Sequence, residues 1–121
     1  MSDLPIAPDV LGPEVVVLPI PDVAQRLGLP VTRVHQMVRD GYLLGMRRNG
    51  VAVVPAEFLS GQAVVKGLPG TITLLSDAGY SREEILRWLF TAEDSLPGTP
   101  IGALRSDRGR EVKRRAQAMG F

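Results

Sequence analysis

Asn49-Gly50 constrains this chain more than any other pair of residues. Both residue types accept positive φ at small steric cost, and the type I′ turn that follows the twist of two antiparallel strands requires positive φ at both central positions. Leu43-Leu44-Gly45-Met46-Arg47-Arg48 precedes the pair, and Val51-Ala52-Val53-Val54, stopped by Pro55, follows it. The pattern predicts a β-hairpin over residues 43–54 with a basic tip.

Two short helices are expected immediately before it. Pro21 suits a first helical position, Val23, Ala24 and Leu27 share one face, and Gly28 suits the left-handed residue that closes a helix. Pro30 opens a second helix running to Asp40, with Val31, Val34 and Val38 as its inward stripe, Met37 beside it, and Gly41 at its end. Thr32, Arg33, Gln36, Arg39 and Asp40 project the other way. Helix, tight glycine turn, helix and basic hairpin is the order of a winged helix-turn-helix, with the hairpin as the wing.

Val15-Val16-Val17-Leu18 predicts a strand leading into the first helix, and the prolines and acids of residues 1–14 read as a flexible acidic tail. Beyond the hairpin, residues 55–59 read as a helical turn and 64–66 as a short extended piece. Ile72 and Leu75 predict a helix from Leu68 toward Gly79, and Ser81-Arg82-Glu83-Glu84 is a capping box opening a helix to Phe90 with Ile85 and Leu89 inward. After a turn-rich connection over 94–98, Thr99-Pro100 supplies an N-cap and first-turn proline for a helix to Leu104, and a basic helix covers 111–119. Tyr42, Phe58, Tyr80, Trp88 and Phe90 are too scattered for a base-stacking platform and read as core. The expected fold is mainly α with a small β-hairpin wing: a winged helix-turn-helix head over 15–66 and a helical C-terminal extension over 67–121, packed as one compact domain.

Several function classes fall away. A chain of 121 residues that is 45% hydrophobic has enough core to fold without disulfides or metals, and it contains no cysteine. With His35 as its one histidine, thiol chemistry, zinc fingers and Fe–S clusters are excluded. The phosphate-binding, dinucleotide, nucleophile-elbow and zinc-protease motifs are absent, so no enzyme activity, cofactor or metal is expected. Glu83 and Glu84 diverge by about 100° on a helix and one of them serves the cap, so they make no acid/base pair. His35, beside the inward stripe, reads as a neutral imidazole without a catalytic role. The apolar runs are too short to span a bilayer and the N-terminus lacks the basic region of a signal peptide, so a cytoplasmic protein without a membrane partner is expected. Without a leucine heptad, the expected state is a monomer.

The net charge of +1 conceals an alternation. Residues 1–25 and 67–104 are acidic, whereas residues 26–66 and 105–121 each carry six Lys or Arg against two acids. In the first basic stretch, Arg and Gln on the outward helix face match guanine and adenine edges in a major groove. At the hairpin, adjacent strand residues point to opposite faces, so one of Arg47 and Arg48 can lie along phosphates while the other packs on the wing. The candidate DNA-binding residues are Thr32, Arg33, Gln36, Arg39, Arg47, Arg48 and Asn49. In the second basic stretch, consecutive Lys113, Arg114 and Arg115 fan around the helix and cannot all face one ligand. Double-stranded DNA is the expected partner, for a small transcriptional regulator or nucleoid-associated protein. The alternative is a protein-interaction module of the same fold, an antitoxin-like or anti-regulator subunit, which the near-zero net charge favours.

Val23-Ala24-Gln25-Arg26-Leu27-Gly28, Arg39-Asp40-Gly41-Tyr42-Leu43, the stretch from Gly61-Gln62-Ala63-Val64-Val65 through Lys66-Gly67-Leu68-Pro69-Gly70, Arg87-Trp88-Leu89-Phe90-Thr91 and Arg114-Arg115-Ala116-Gln117-Ala118-Met119 together resemble a small actinobacterial family of winged helix-turn-helix DNA-binding proteins. Its mycobacterial member is associated with a membrane Ser/Thr protein kinase. The resemblance implies DNA binding through the second helix and the wing, a helical C-terminal region packed on the head, and a Ser/Thr protein kinase as a partner. It places the polar recognition face on Thr32, Arg33, Gln36 and Arg39 and the basic wing on Arg47 and Arg48. The chain departs from the family in its N-terminal tail, where Ser2 is the one phosphorylatable hydroxyl before Thr32, which argues against regulation by tail phosphorylation.

Overall fold

The computed structural model describes residues 4–93, 96 and 98–119. The turn at its centre forms as its residues require: Asn49 has φ 52° and Gly50 φ 77°. They join β3 (Met46–Arg48) to β4 (Val51–Pro55) in antiparallel register, Met46 opposite Val53 and Arg48 opposite Val51. Before the hairpin come β1 (Ala7–Pro8), β2 (Val17–Pro19), α1 (Ile20–Leu27) and α2 (Val31–Arg39). Gly28, at φ 67°, donates its N–H back to the end of α1, and the next segment turns directly into α2.

The hairpin is the middle of a four-stranded sheet in the order β1-β3-β4-β2. β2 lies antiparallel to β4, and β1 runs parallel to β3 with Ala7 opposite Met46. This corrects the expectation of a flexible tail over residues 1–14: from Leu4 onward the segment is docked, with Ala7 buried and Ile6, Val10 and Leu11 resting on the core. An uncovered β3 would expose a row of unpaired backbone groups, and the Ala7 N–H donates to the Gly45 carbonyl at 3.0 Å to begin covering it. Pro8 then lacks the donor that would extend pairing to a further strand, as suits an edge.

After a 3₁₀ turn (Ala56–Phe58), β5 (Leu59–Ser60) and β6 (Ala63–Val64) pair as a small ribbon. The C-terminal region holds α3 (Leu68–Asp77), α4 (Arg82–Leu89), α5 (Pro100–Arg105) and α6 (Gly109–Ala118). The capping box forms at Ser81 with Glu84, and the Thr99 hydroxyl accepts from the Gly102 N–H at 3.1 Å. Of the connection expected over 94–98, residues 94, 95 and 97 lie outside the described residues, as does Ser2. Helix accounts for 48% and strand for 15% of the described residues, so mainly α holds only coarsely and the lone hairpin becomes part of a sheet.

One cluster of buried side chains runs through both halves of the chain, including Val23, Val34, Leu44 and Phe58 of the head and Leu75, Leu86, Ile101 and Val112 beyond it. Leu86, fully buried, joins Ile85 and Leu89 on the inward face of α4. Phe58 and Phe90 meet across the two halves with ring centroids 5.7 Å apart. Two arginines add polar ties: Arg105 Nη1 donates to the carbonyls of Glu57 and Leu59, and Arg82 donates to those of Val38 and Arg39 at the end of α2.

Candidate nucleic-acid interface

Val34 and Val38 are fully buried, and that fixes the rotation of α2. At about 100° per residue, Gln36 then points almost directly away from the core, flanked by Thr32 and Arg39 on one side and Arg33 and Asp40 on the other. All five are exposed. Arg33 makes no hydrogen bond or ion pair among the described residues. His35 is half-buried at the margin of the stripe.

Gln36 Nε2 donates to Asp40 Oδ1 at 2.9 Å, one helical turn on. An ionised carboxylate only accepts, so it holds the amide NH₂ on its own side and turns Oε1 outward. The second N–H of the same group remains available beside that oxygen. Such an amide edge offers one acceptor and one donor, the complement of adenine N6 and N7. A groove of about 330 Å³ runs along this face, bordered by Leu29, Arg33, Gln36, Met37, Asp40 and Tyr42.

On the wing, the strand alternation separates the two arginines. Arg47 is exposed, with only a 3.5 Å contact from Nη1 to the Gly50 carbonyl, and Asn49 is exposed at the turn. Arg48 turns the other way, and its side chain is only 14% exposed. Its Nε and Nη2 grip both oxygens of Asp9 at 2.7 and 3.1 Å, while Nη1 donates to the Val15 carbonyl and Nη2 to those of Leu11 and Gly12. The guanidinium beside Asp9 holds that carboxyl below the usual carboxylate range, and Asp9 in turn raises the Arg48 pKa. Arg48 therefore does not join the outward set with Arg47. Its five donor contacts go to the N-terminal segment, which it straps against the sheet.

The site gains a residue that the sequence placed in the core. Tyr42 is 50% exposed beside Arg33 and Gln36, because the Tyr42 N–H returns to the Met37 carbonyl and Leu43 and Leu44 take the buried positions. Leu29 and Val31 are also exposed at the entry to α2. Among the described residues, no group of His, Asp or Glu side chains is placed to hold a metal ion, and no helix is long and apolar enough to cross a membrane.

Comparison with known proteins matches residues 3–59 to the family described as "DNA-binding protein Rv2175c, wHTH domain" and residues 65–120 to the "Rv2175c C-terminal domain of unknown function". The chain belongs to the Rv2175c family. "DNA-binding protein Rv2175c" of Mycobacterium tuberculosis is 44% identical over 135 aligned residues, covering 100% of this chain and 92% of that protein. The solved structure titled "NMR structure of Rv2175c" superposes with a TM-score of 0.87 at 42% identity, over 97% of this chain and 90% of the other. The first Rv2175c family match takes in α1, α2 and the wing, and the second begins after the β5–β6 ribbon and takes in α3 to α6.

Proposed function

We propose that this chain binds double-stranded DNA in the cytoplasm, as a small transcriptional regulator or nucleoid-associated protein, with α2 in the major groove and the wing tip on the flanking backbone. The observation that carries the reading is the pairing of two surfaces. Opposite Val34 and Val38, α2 presents Thr32, Arg33, Gln36 and Arg39 to solvent, and the chain soon returns with Arg47 and Asn49 exposed at a tight hairpin. Arg33 and Gln36 read base edges, Thr32 and Arg39 border them, and Arg47 neutralises phosphate. Tyr42 adds a phenol beside the groove. Arg48 acts through the wing, which it anchors. The relative named a DNA-binding protein and the family match over the head support the assignment.

Fluorescence anisotropy with random-sequence duplex across a salt series tests it. Each lost phosphate contact lowers the salt slope by about 0.9, so R33A/R47A, which removes the phosphate contact assigned to Arg47, is expected to lower it by about 1. Absence of wild-type binding at low salt overturns the proposal. The protein-interaction reading of the same fold then takes over, supported by the exposed Leu29, Val31 and Tyr42 around α2.

A further inference from the structure

The cations of α6 are sorted by the fold into paired and unpaired sets. Val112 and Ala116 are buried against the core. Arg115 turns to Glu93 at 3.3 Å, Arg108 pairs with Glu111 at 3.7 Å, and Arg105 from α5 is spent on two backbone carbonyls. That leaves Arg110, Lys113 and Arg114, whose i, i+3, i+4 spacing places them on one outward stripe. The six cations of residues 105–121 are thus reduced to three that share one face. Lys66 faces two of them across a cleft of about 390 Å³ between α6 and the start of α3, with Gly70 on the α3 side and Asp107 as the one acid at its border. None of these four cations makes a hydrogen bond or ion pair among the described residues.

Like charges at these spacings repel and weaken a helix, so the arrangement is costly unless an anion covers it. The choice of anion follows from what surrounds the stripe. Protein interfaces are anchored by apolar and aromatic side chains, and the exposed large hydrophobics among the described residues are Val16, Leu29, Val31, Tyr42 and Val51, all in the head. The C-terminal region offers cations and a glycine-lined cleft, the surface that takes a phosphate backbone without reading its bases. We propose that Lys66, Arg110, Lys113 and Arg114 form a second, sequence-independent contact surface for the phosphates of duplex DNA. This deepens the DNA-binding reading and gives the C-terminal region a part in it.

The test adds R110Q/K113Q/R114Q to the random-duplex salt series, beside wild type and R33A/R47A. Glutamine keeps helix propensity while removing the charge, and a melting temperature no lower than that of wild type shows that the fold is intact. The expected result is a salt slope lower by about 2 to 3 than wild type, with R110K/R114K retaining the wild-type slope. A wild-type slope in R110Q/K113Q/R114Q, with a reduced one in R33A/R47A, overturns this proposal and leaves the recognition surface standing; an acidic protein then becomes the partner to seek. A reduced slope in the stripe variant alone supports the stripe and overturns the assignment of α2 and the wing. No binding by wild type overturns both.

Discussion

Arg82 ties the C-terminal region to α2, and removing it tests whether that region positions the proposed DNA-binding surface. The last carbonyls of a helix have no intrahelical partner. Arg82 Nη1 reaches the Val38 carbonyl at 2.7 Å and Nη2 the Arg39 carbonyl at 3.1 Å, so one guanidinium on α4 caps the end of α2. A hydrogen bond from a charged donor contributes about 1.5 kcal/mol at the lower end of its range, which suits a half-buried group. Two such bonds give about 3 kcal/mol, against which the freed side chain recovers part of about 2 kcal/mol of rotamer entropy. Arg82→Ala is therefore expected to cost about 1–2 kcal/mol. With an unfolding entropy of roughly 2.1 cal/mol/K per residue, a chain of 121 residues should lose about 4–8 °C in melting temperature. Arg82→Lys, with a single ammonium in place of the fork, should fall between. Thermal unfolding supplies the stability, and a duplex titration across salt supplies the functional readout: the affinity should drop as α2 frays while the salt slope stays that of wild type, because no phosphate contact is lost. A melting shift below about 1 °C refutes the capping argument, and a slope lower by about 1 shows that Arg82 touches DNA itself.

Acid should weaken the fold through two carboxyls. Asp9 is held low by Arg48 and Glu84 by its hydrogen bonds with Ser81, so each stabilises above its ordinary value of 3.8 or 4.5 and loses that contribution as pH falls through the lower folded value. In urea midpoints measured from pH 6 to 2, D9N/E84Q should therefore show a flatter decline below about pH 4 than wild type, and an equally steep one would remove both groups from the account. Two glycines with open space around them should respond with opposite signs: Gly50→Ala, at φ 77°, is expected to lose about 1–2 kcal/mol, and Gly70→Ala, within α3, to gain about 0.5–1 kcal/mol, both read from chemical denaturation.

What the sequence disclosed was local. Asn49-Gly50, the glycines after α1 and α2 and the capping box at Ser81 act through their own backbone or that of residues a few positions away, so their signals are complete within a short window. The outward face of α2 was legible for the same reason, since Val34 and Val38 set its rotation. The docking of the N-terminal segment was not, because Asp9 and Arg48 are 39 positions apart and nothing in Pro5-Ile6-Ala7-Pro8 announces a parallel strand partner. Alternation showed that Arg47 and Arg48 part company, but not which of them turns inward. Tyr42 escaped because Leu43 and Leu44 filled the buried positions that its aromatic ring was expected to share.

Charge makes the same division sharper. A net charge of +1 argued against a polyanion ligand only if every acid weakens every base equally, and in the folded chain neutralisation is positional. Asp9 is committed to Arg48, Glu83 to Arg87, Glu93 to Arg115 and Glu111 to Arg108. Exposed acids such as Glu14, Asp22 and Asp77 contribute to the total from other segments, and Asp40 and Asp107 are the acids bordering the outward face of α2 and the cleft beside α6. A phosphate brought within a few ångströms of Arg47 or Lys113 would respond to the nearest charges, because beyond about 10 Å solvent ions at ordinary ionic strength screen the rest. The fold thus uses much of its acid content to build itself and leaves cations exposed on separate surfaces, so the salt slope of binding, which counts local contacts, is the quantity that the total charge cannot foretell.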